Sequence, residues 1–285
     1  MASYVIAGAS RGLGREWIRQ LASNKSNTAI ALVRSPESSS ALQELASQHS
    51  NVHIVKADVT DPKSLESAAA EVSTITGGKL DVLVYNPAII DYGHYTPSQL
   101  PQDDAELRNV FKNSIDIQIY GAIWTTNAFL PLIEQGTEKK IVHISTGMSD
   151  TDFIRTTGIP VVVPYSVGKA ALNVLVAKYA TELAPKGIKV LALSPGWVDT
   201  YEGPRECSLV HDLCLPLTNL SAVPVPDAYA AMQASLLEPF RKVDPSLTGS
   251  IDPEESVRSQ LDVIGRLDEK LSGSLVGHHG DKNWF

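Results

Sequence analysis

The sequence predicts an α/β fold in which one doubly wound parallel sheet of about seven strands carries helices on both faces. Three features predict it. Short runs that are apolar at successive positions, as strands buried on both faces are, alternate with longer stretches of helical periodicity. The first run ends in a glycine-rich turn, Gly8-Ala9-Ser10-Arg11-Gly12-Leu13-Gly14. The chain of 285 residues, 43% of them hydrophobic, can bury a large core yet stays within the size of one α/β domain, so a single domain over residues 1–285 is expected.

Taken in order, the strands fall at 4–7, 28–33, 52–55, 82–85, 141–144 and 190–193, with a last one near 274–277. Residues 15–23, 38–49, 62–76, 104–134 and 165–184 lie between them, each long enough for a crossover helix. From Thr200 to about Ser250 the periodicity gives way to Pro, Leu and charged residues. That stretch is too long for a plain connection and is expected to form a substrate lid. A helix over 253–271 then leads to the last strand.

Composition excludes several classes. A formal net charge of -8 leaves no basic excess for a phosphate backbone, so no nucleic-acid partner is expected. No apolar run approaches the roughly 18 residues that span a bilayer, and no basic-then-apolar leader precedes the first strand, so no membrane partner and a cytoplasmic location are expected. Cys207 and Cys214, the two cysteines, give neither a disulfide framework nor a metal spacing and are expected to be free thiols. His278 and His279 lack a third ligand and are expected in a turn, His143 in the core, and no metal site is assigned.

The glycine turn carries the first chemistry. A chain leaving a buried strand for a helix points the helix's first amides outward with partial positive charge, which suits an anion. Glycines tolerate the positive φ of such a turn and let a pyrophosphate approach the backbone. An acidic residue ending the second strand would hold an unmodified ribose and repel a 2′-phosphate. The stretch here is Val33-Arg34-Ser35, so Arg34 with Arg11 favours NADP over NAD.

Tyr165 and Lys169 carry the second. Four residues apart, they share one face of a helix. A free phenol, with a pKa of about 10, exchanges protons poorly at neutral pH, and a neighbouring ammonium favours its phenolate.

Gly8 to Gly14 together with Tyr165-Ser166-Val167-Gly168-Lys169 resemble the signatures of the short-chain dehydrogenase/reductase family, and the likeness spans nearly the whole chain. Ala57-Asp58-Val59 is similar to that family's adenine-contacting strand end, and Asn86 to its Asn-Ala-Gly turn. Pro195-Gly196-Trp197-Val198-Asp199-Thr200 is similar to its nicotinamide-side segment. The closing stretch 273–284, with Glu255-Ser256-Val257 before it, is similar to the C-factor and sniffer-like carbonyl reductases and pathway ketoreductases within the family. The resemblance implies a Rossmann-type NADP-binding domain and a small-molecule carbonyl substrate. It implies that Gly8, Ser10, Arg11, Gly12, Leu13, Gly14, Arg34, Asp58, Val59 and Asn86 hold the cofactor, together with Tyr165, Lys169, Pro195, Gly196, Val198 and Thr200.

It also implies catalytic roles. Hydride transfer to a carbonyl develops negative charge on oxygen, which Tyr165 would quench by protonation while Lys169 tunes it and bonds the nicotinamide ribose. The family's carbonyl-polarising serine falls on Thr146, with Ser145 and Ser149 as substitutes. Its asparagine, aligned on Gly121 and Leu130-Pro131, falls on Gln118, which the helical stripe through Ser114, Gly121 and Thr125 places inward. Gln118 either keeps the family's proton relay with a longer arm or marks a changed one. Pro87, following Asn86, removes a backbone donor from that turn.

The helix over 104–134 has a second apolar side at Ile119, Tyr120 and Ile123, and the Tyr165 helix has one at Val167, Ala170 and Val174. Family members pair these helices, so a homodimer or homotetramer is expected. Leu209, Val210, Leu213, Leu215, Leu217 and Leu220 point to an apolar or aromatic carbonyl compound larger than a simple sugar. The competing class is a nucleotide-binding scaffold with isomerising, ring-closing or sensing work, which Gln118, Thr146 and Pro87 favour and the Tyr165–Lys169 pair opposes.

Overall fold

A computed structural model describes residues 2–89, 95–200 and 225–285, with side chains in the last segment from residue 233 onward. Seven parallel strands form one sheet: β1 (Ser3–Ala7), β2 (Thr28–Val33), β3 (Val52–Lys56), β4 (Val82–Tyr85), β5 (Lys140–Ile144), β6 (Lys189–Leu193) and β7 (Leu275–Val276). Their order, β3-β2-β1-β4-β5-β6-β7, puts β1 inside the sheet, beside the central β4, and sends the chain outward from it in both directions. The reversal between β1 and β4 opens a crevice at their carboxyl ends, where such sheets bind ligands.

The strands read as unbroken apolar runs because side chains alternate between two covered faces. Val5, Ala7, Ile30, Leu32, Leu83 and Tyr85 point into one core, against α3 (Pro62–Thr76), α5 (Ala122–Gln135) and α7 (Val163–Leu183). Ile6, Ala29, Ala31, Val82 and Val142 point into the other, against α1 (Gly12–Ser23), α2 (Ser40–Gln48) and α9 (Pro253–Gly265). Local chemistry sets the helix ends. Asp61 caps α3, taking the Lys63 amide at 3.0 Å, with Pro62 in the first turn and Gly77 left-handed after the end.

The structure corrects the expected elements in four places. The helix expected over 104–134 is α4 (Asp104–Ile115), then a π-helical segment (Asp116–Gly121), then α5. A short helix, α6 (Thr151–Thr157), follows β5, started by Asp150, whose carboxylate accepts from the Asp152 and Phe153 amides. Part of the stretch expected to be irregular is helical, α8 (Val225–Arg241). The helix expected over 253–271 stops at Gly265. The leucines expected in the lid and both cysteines lie outside the described residues. No described helix is long and apolar enough to cross a membrane.

Candidate active site

The glycine turn joins β1 to α1. Gly8 and Gly12 hold positive φ values of 73° and 54°, in the left-handed region that glycine tolerates. Gly14 meets a steric demand instead: a Cβ there would lie 2.1 Å from the Gly8 carbonyl oxygen and 2.8 Å from the Ala9 Cα, so α1 sits flush on the turn. Its N-terminus has no side-chain cap and no acidic residue in the first turn, which leaves outward amides and their partial charge to a ligand. Ser10 and Arg11 are exposed beside them.

Other chain segments converge on this turn. Asn86 donates from its backbone N–H to Ala7 at 3.3 Å and from Nδ2 to the Gly8 carbonyl at 3.1 Å, tying the end of β4 to the loop. Pro87 packs within 3.1 Å of where a Gly8 Cβ would stand, so it fills that turn with its ring. Gly12 faces Thr200, whose Cβ would lie 3.5 Å from a Cβ on it, and so the segment after β6 reaches the loop after β1.

On the β2–β3 side, Arg34 is exposed at the strand end and Asp58 half-buried opposite it. Burial pushes the Asp58 carboxyl up, but hydrogen bonds from the Thr60 hydroxyl (2.7 Å) and amide (2.9 Å) and the nearby Arg34 charge outweigh it. The carboxyl therefore stays below its usual range.

On the β4–β6 side the polar groups are inside. Lys169 is 1% exposed, and its Nζ donates to the Ile144 carbonyl at 2.5 Å and stands 5.9 Å from the Tyr165 ring centroid. Burial depresses its pKa to about 7. His143, one position back on β5, is fully buried. Burial and then the Lys169 charge lower its pKa to about 3, so it is neutral, with Nε2 3.3 Å from the Thr126 hydroxyl. It is a core residue, as expected.

Behind Thr146, Ser145 donates to Asn173 Oδ1 at 2.6 Å, Asn173 Nδ2 donates to Ser149 Oγ at 2.8 Å, and Ser149 donates to the Thr146 carbonyl at 2.6 Å. A hydroxyl has one proton, so Ser145 and Ser149 are committed to this support. The Thr146 hydroxyl accepts from the Met148 amide at 3.2 Å and retains its proton for another acceptor. Asn173 was invisible to motif reasoning, although it continues the i, i+4, i+8 series from Tyr165 and Lys169.

Gln118 lies in the π-helical segment, fully buried, with neither amide atom hydrogen-bonded among the described residues. It packs on α7: a Cβ at Gly168 would lie 2.5 Å from its Oε1 and 3.1 Å from its Cδ. Gly168 is therefore what accommodates the longer arm. Tyr85 braces the same segment, donating its phenol to the Ile117 carbonyl at 2.5 Å, and Gly121 leaves room for that oxygen at 2.6 Å from where its Cβ would be. Thr125 Oγ1, His143 Nδ1 and Ser166 Oγ are likewise buried without a hydrogen-bond partner among the described residues.

The closing segment forms the remaining wall. Trp284 lies 3.1 Å from where a Gly147 Cβ would be, directly after Thr146, and His278 lies 2.8 Å from the same point on Gly196, which holds φ 86°. His278 and His279 stack in the expected turn, 4.0 Å between ring centroids. Trp284, Phe285, Phe153, Phe240 and Trp197 form one aromatic cluster, with ring centroids 4.8–6.0 Å apart.

A parallel sheet with a glycine-built helix N-terminus at its switch point, and a Tyr–Lys pair one helical turn apart beside it, defines a Rossmann-type oxidoreductase. Within that class the chain belongs to the short chain dehydrogenase family, whose model matches residues 3–204. It is similar to the short-chain dehydrogenase/reductase atnB of Arthrinium sp, at 42% identity over 100% of both chains. Its fold is similar to that of an NADPH-bound carbonyl reductase from chicken fatty liver, with a TM-score of 0.74 and 25% identity over 99% of this chain and 98% of the other. It is also similar to the fold of the carbonyl reductase Sniffer of D. melanogaster, with a TM-score of 0.71 and 20% identity over 99% and 98%.

Proposed function

We propose that this chain is an NADPH-dependent carbonyl reductase acting on an apolar or aromatic carbonyl compound, with Tyr165 as proton donor. The observation that carries the reading is Lys169: an amine buried beside Tyr165 and held by a main-chain carbonyl rather than a carboxylate, so its proton is shared with no acidic partner among the described residues.

The residues fit the dinucleotide. Gly8, Gly12, Leu13 and Gly14, with Ser10 and Arg11 beside them, suit the pyrophosphate. Arg34 suits a 2′-phosphate, Asp58 and Val59 the adenine, and Asn86, Pro195, Gly196, Val198 and Thr200 the nicotinamide side. When bound, NADPH supplies the hydride to the carbonyl carbon. Tyr165 gives its phenolic proton to the carbonyl oxygen as negative charge develops there, and the Lys169 ammonium stabilises the phenolate left behind. Thr146 turns its remaining proton toward the same oxygen. Gln118 supports the α7 face that presents Tyr165 and Lys169. The aromatic cluster borders this centre through Trp284 on Gly147 and Trp197 after Gly196, which favours a ring-bearing substrate. The whole site belongs to a single domain over residues 1–285.

Tyr165→Phe tests the reading. NADPH oxidation by aromatic ketones should fall by about 10³ or more while NADPH affinity stays within about twofold, because the phenol acts in the transition state. Substrate conversion that survives the change with no nicotinamide absorbance change would sink it.

The same reading includes a homodimer or homotetramer through α4, α5 and α7. Tyr120, Val167 and Val174 are 47%, 48% and 62% exposed, and a groove of about 280 Å³ between α5 and α7 is lined by Ile123, Leu175 and Tyr179. Light scattering at micromolar concentration should give a dimer or tetramer that Val174→Glu weakens. A wild-type monomer excludes it.

A further inference from the structure

We propose that Ser256 and Gln260, on α9, are positioning residues for the Pro195-Gly196 turn and, through it, for the nicotinamide half of the bound dinucleotide; this rests on the cofactor reading above. Both side chains are fully buried, although neither is charged and neither reaches the Tyr165 centre. Polar groups this deep need a reason, and their hydrogen bonds supply one. Gln260 Nε2 donates to Ser256 Oγ at 2.9 Å, one helical turn away, and Ser256 Oγ donates to the Pro195 carbonyl at 2.6 Å.

The chain of donors has one direction. Pro195 has no N–H, and its carbonyl can only accept, so the Ser256 proton must point at it. The Ser256 lone pairs are then left for Gln260, whose amide nitrogen can only donate. Each bond polarises the next. The Pro195–Gly196 peptide is planar and trans, so a carbonyl drawn toward α9 sends the Gly196 N–H to the opposite side.

The rest of the turn is fastened to the residues that lead into the same helix. Val198 pairs with Ile251, the Ile251 amide donates to Trp197 O at 2.8 Å, and the Asp199 amide donates to Ile251 O at 3.0 Å. Asp252, the next residue, caps α9 by accepting the Glu255 amide at 2.7 Å, and Ser256 follows within the first turn. Residues 195–199 and 251–260 thus close into one clasp, with His278 packed against Gly196.

The test compares two probes: NADPH, and 2′,5′-ADP, which lacks the nicotinamide half. Calorimetry on the full chain should show Ser256→Ala weakening NADPH about tenfold and leaving 2′,5′-ADP within about twofold. Gln260→Met, which keeps the volume and removes the donor, should do the same by a smaller factor, and it keeps the test open if Ser256→Ala fails to fold. Equal weakening of both probes means a merely structural role and overturns the proposal. So does wild-type NADPH affinity in both variants. A wild-type chain that binds neither probe overturns the cofactor reading, and with it this one.

Discussion

At the carboxyl ends of β1–β3, the surface is bordered by glycine backbone, helix amides and the exposed side chains of Ser10, Arg11 and Arg34, above a core of apolar side chains in which the Trp17 ring N–H is buried without a partner among the described residues. At the carboxyl ends of β4–β6, the polar groups have moved into the protein. Lys169, His143, Gln118 and Thr125 are all at most 1% exposed, and several of their atoms find no hydrogen-bond partner among the described residues. Backbone amides facing water cost the fold nothing, whereas buried unpaired polar groups are destabilising. One half can therefore carry polar groups without weakening the molecule; the other gives up stability to hold its polar groups away from water.

Lys169→Met should produce the largest effect, in opposite directions on activity and stability. Turnover of NADPH with a carbonyl should fall by roughly 10²–10⁴. The cofactor-free chain should become more stable, since a buried ammonium is removed. The sign with pH follows from a folded pKa of about 7 lying below the ordinary lysine value: the unfolded chain binds the extra proton between the two. The gain in melting temperature should be full below about pH 7 and fade as pH rises toward the ordinary lysine range. A melting temperature that falls at pH 6 breaks the comparison.

Next comes Gly168→Ser. Its Cβ would crowd the buried Gln118 amide, so urea unfolding should show a loss of roughly 1–3 kcal/mol. Gln118→Asn in the same chain, with its shorter arm, should recover part of that. Strictly additive effects in the double-mutant cycle would mean that the two residues do not share the space.

The smallest structural effect should come from the other half. Arg34→Asp puts a carboxylate beside Asp58 at the ribose end, and NADPH should lose its preference over NADH by about tenfold or more while the melting temperature stays nearly constant. Unchanged relative affinities by calorimetry would remove Arg34 from the 2′-phosphate site.

The same contrast explains what the sequence disclosed. The glycine-turn half is written locally: strand, glycines and helix start lie within a dozen residues, and so Gly8, Gly12 and Gly14 fall in the turn where the spacing puts them. Tyr165 and Lys169 are legible for the same reason, being one turn apart. The hydrogen bonds around Thr146 are not local. Asn173 reaches Ser145 across 28 residues and Ser256 reaches Pro195 across 61, and no spacing rule covers such pairs. The helices missed, α6 and α8, are short or follow a proline-rich stretch, so their periodicity is weak. The break at Asp116–Gly121 was hidden because a π turn keeps an apolar stripe running while changing the number of residues per turn.

That break also sets the phase of everything after it. Ser114, Gln118, Ala122 and Thr126 are buried at intervals of four, and Phe129 follows after three residues and Ile133 after four more. An unbroken α-helix would carry such a series steadily around its axis, because four residues exceed one turn of 3.6. The wider π turn absorbs the excess and keeps α5 facing the sheet. In the arithmetic of insertions, this helix holds one residue more than a regular α-helix needs. Removing one between Asp116 and Gly121 would turn α5 by about 100° against α4, carrying Phe129 and Ile133 away from the sheet.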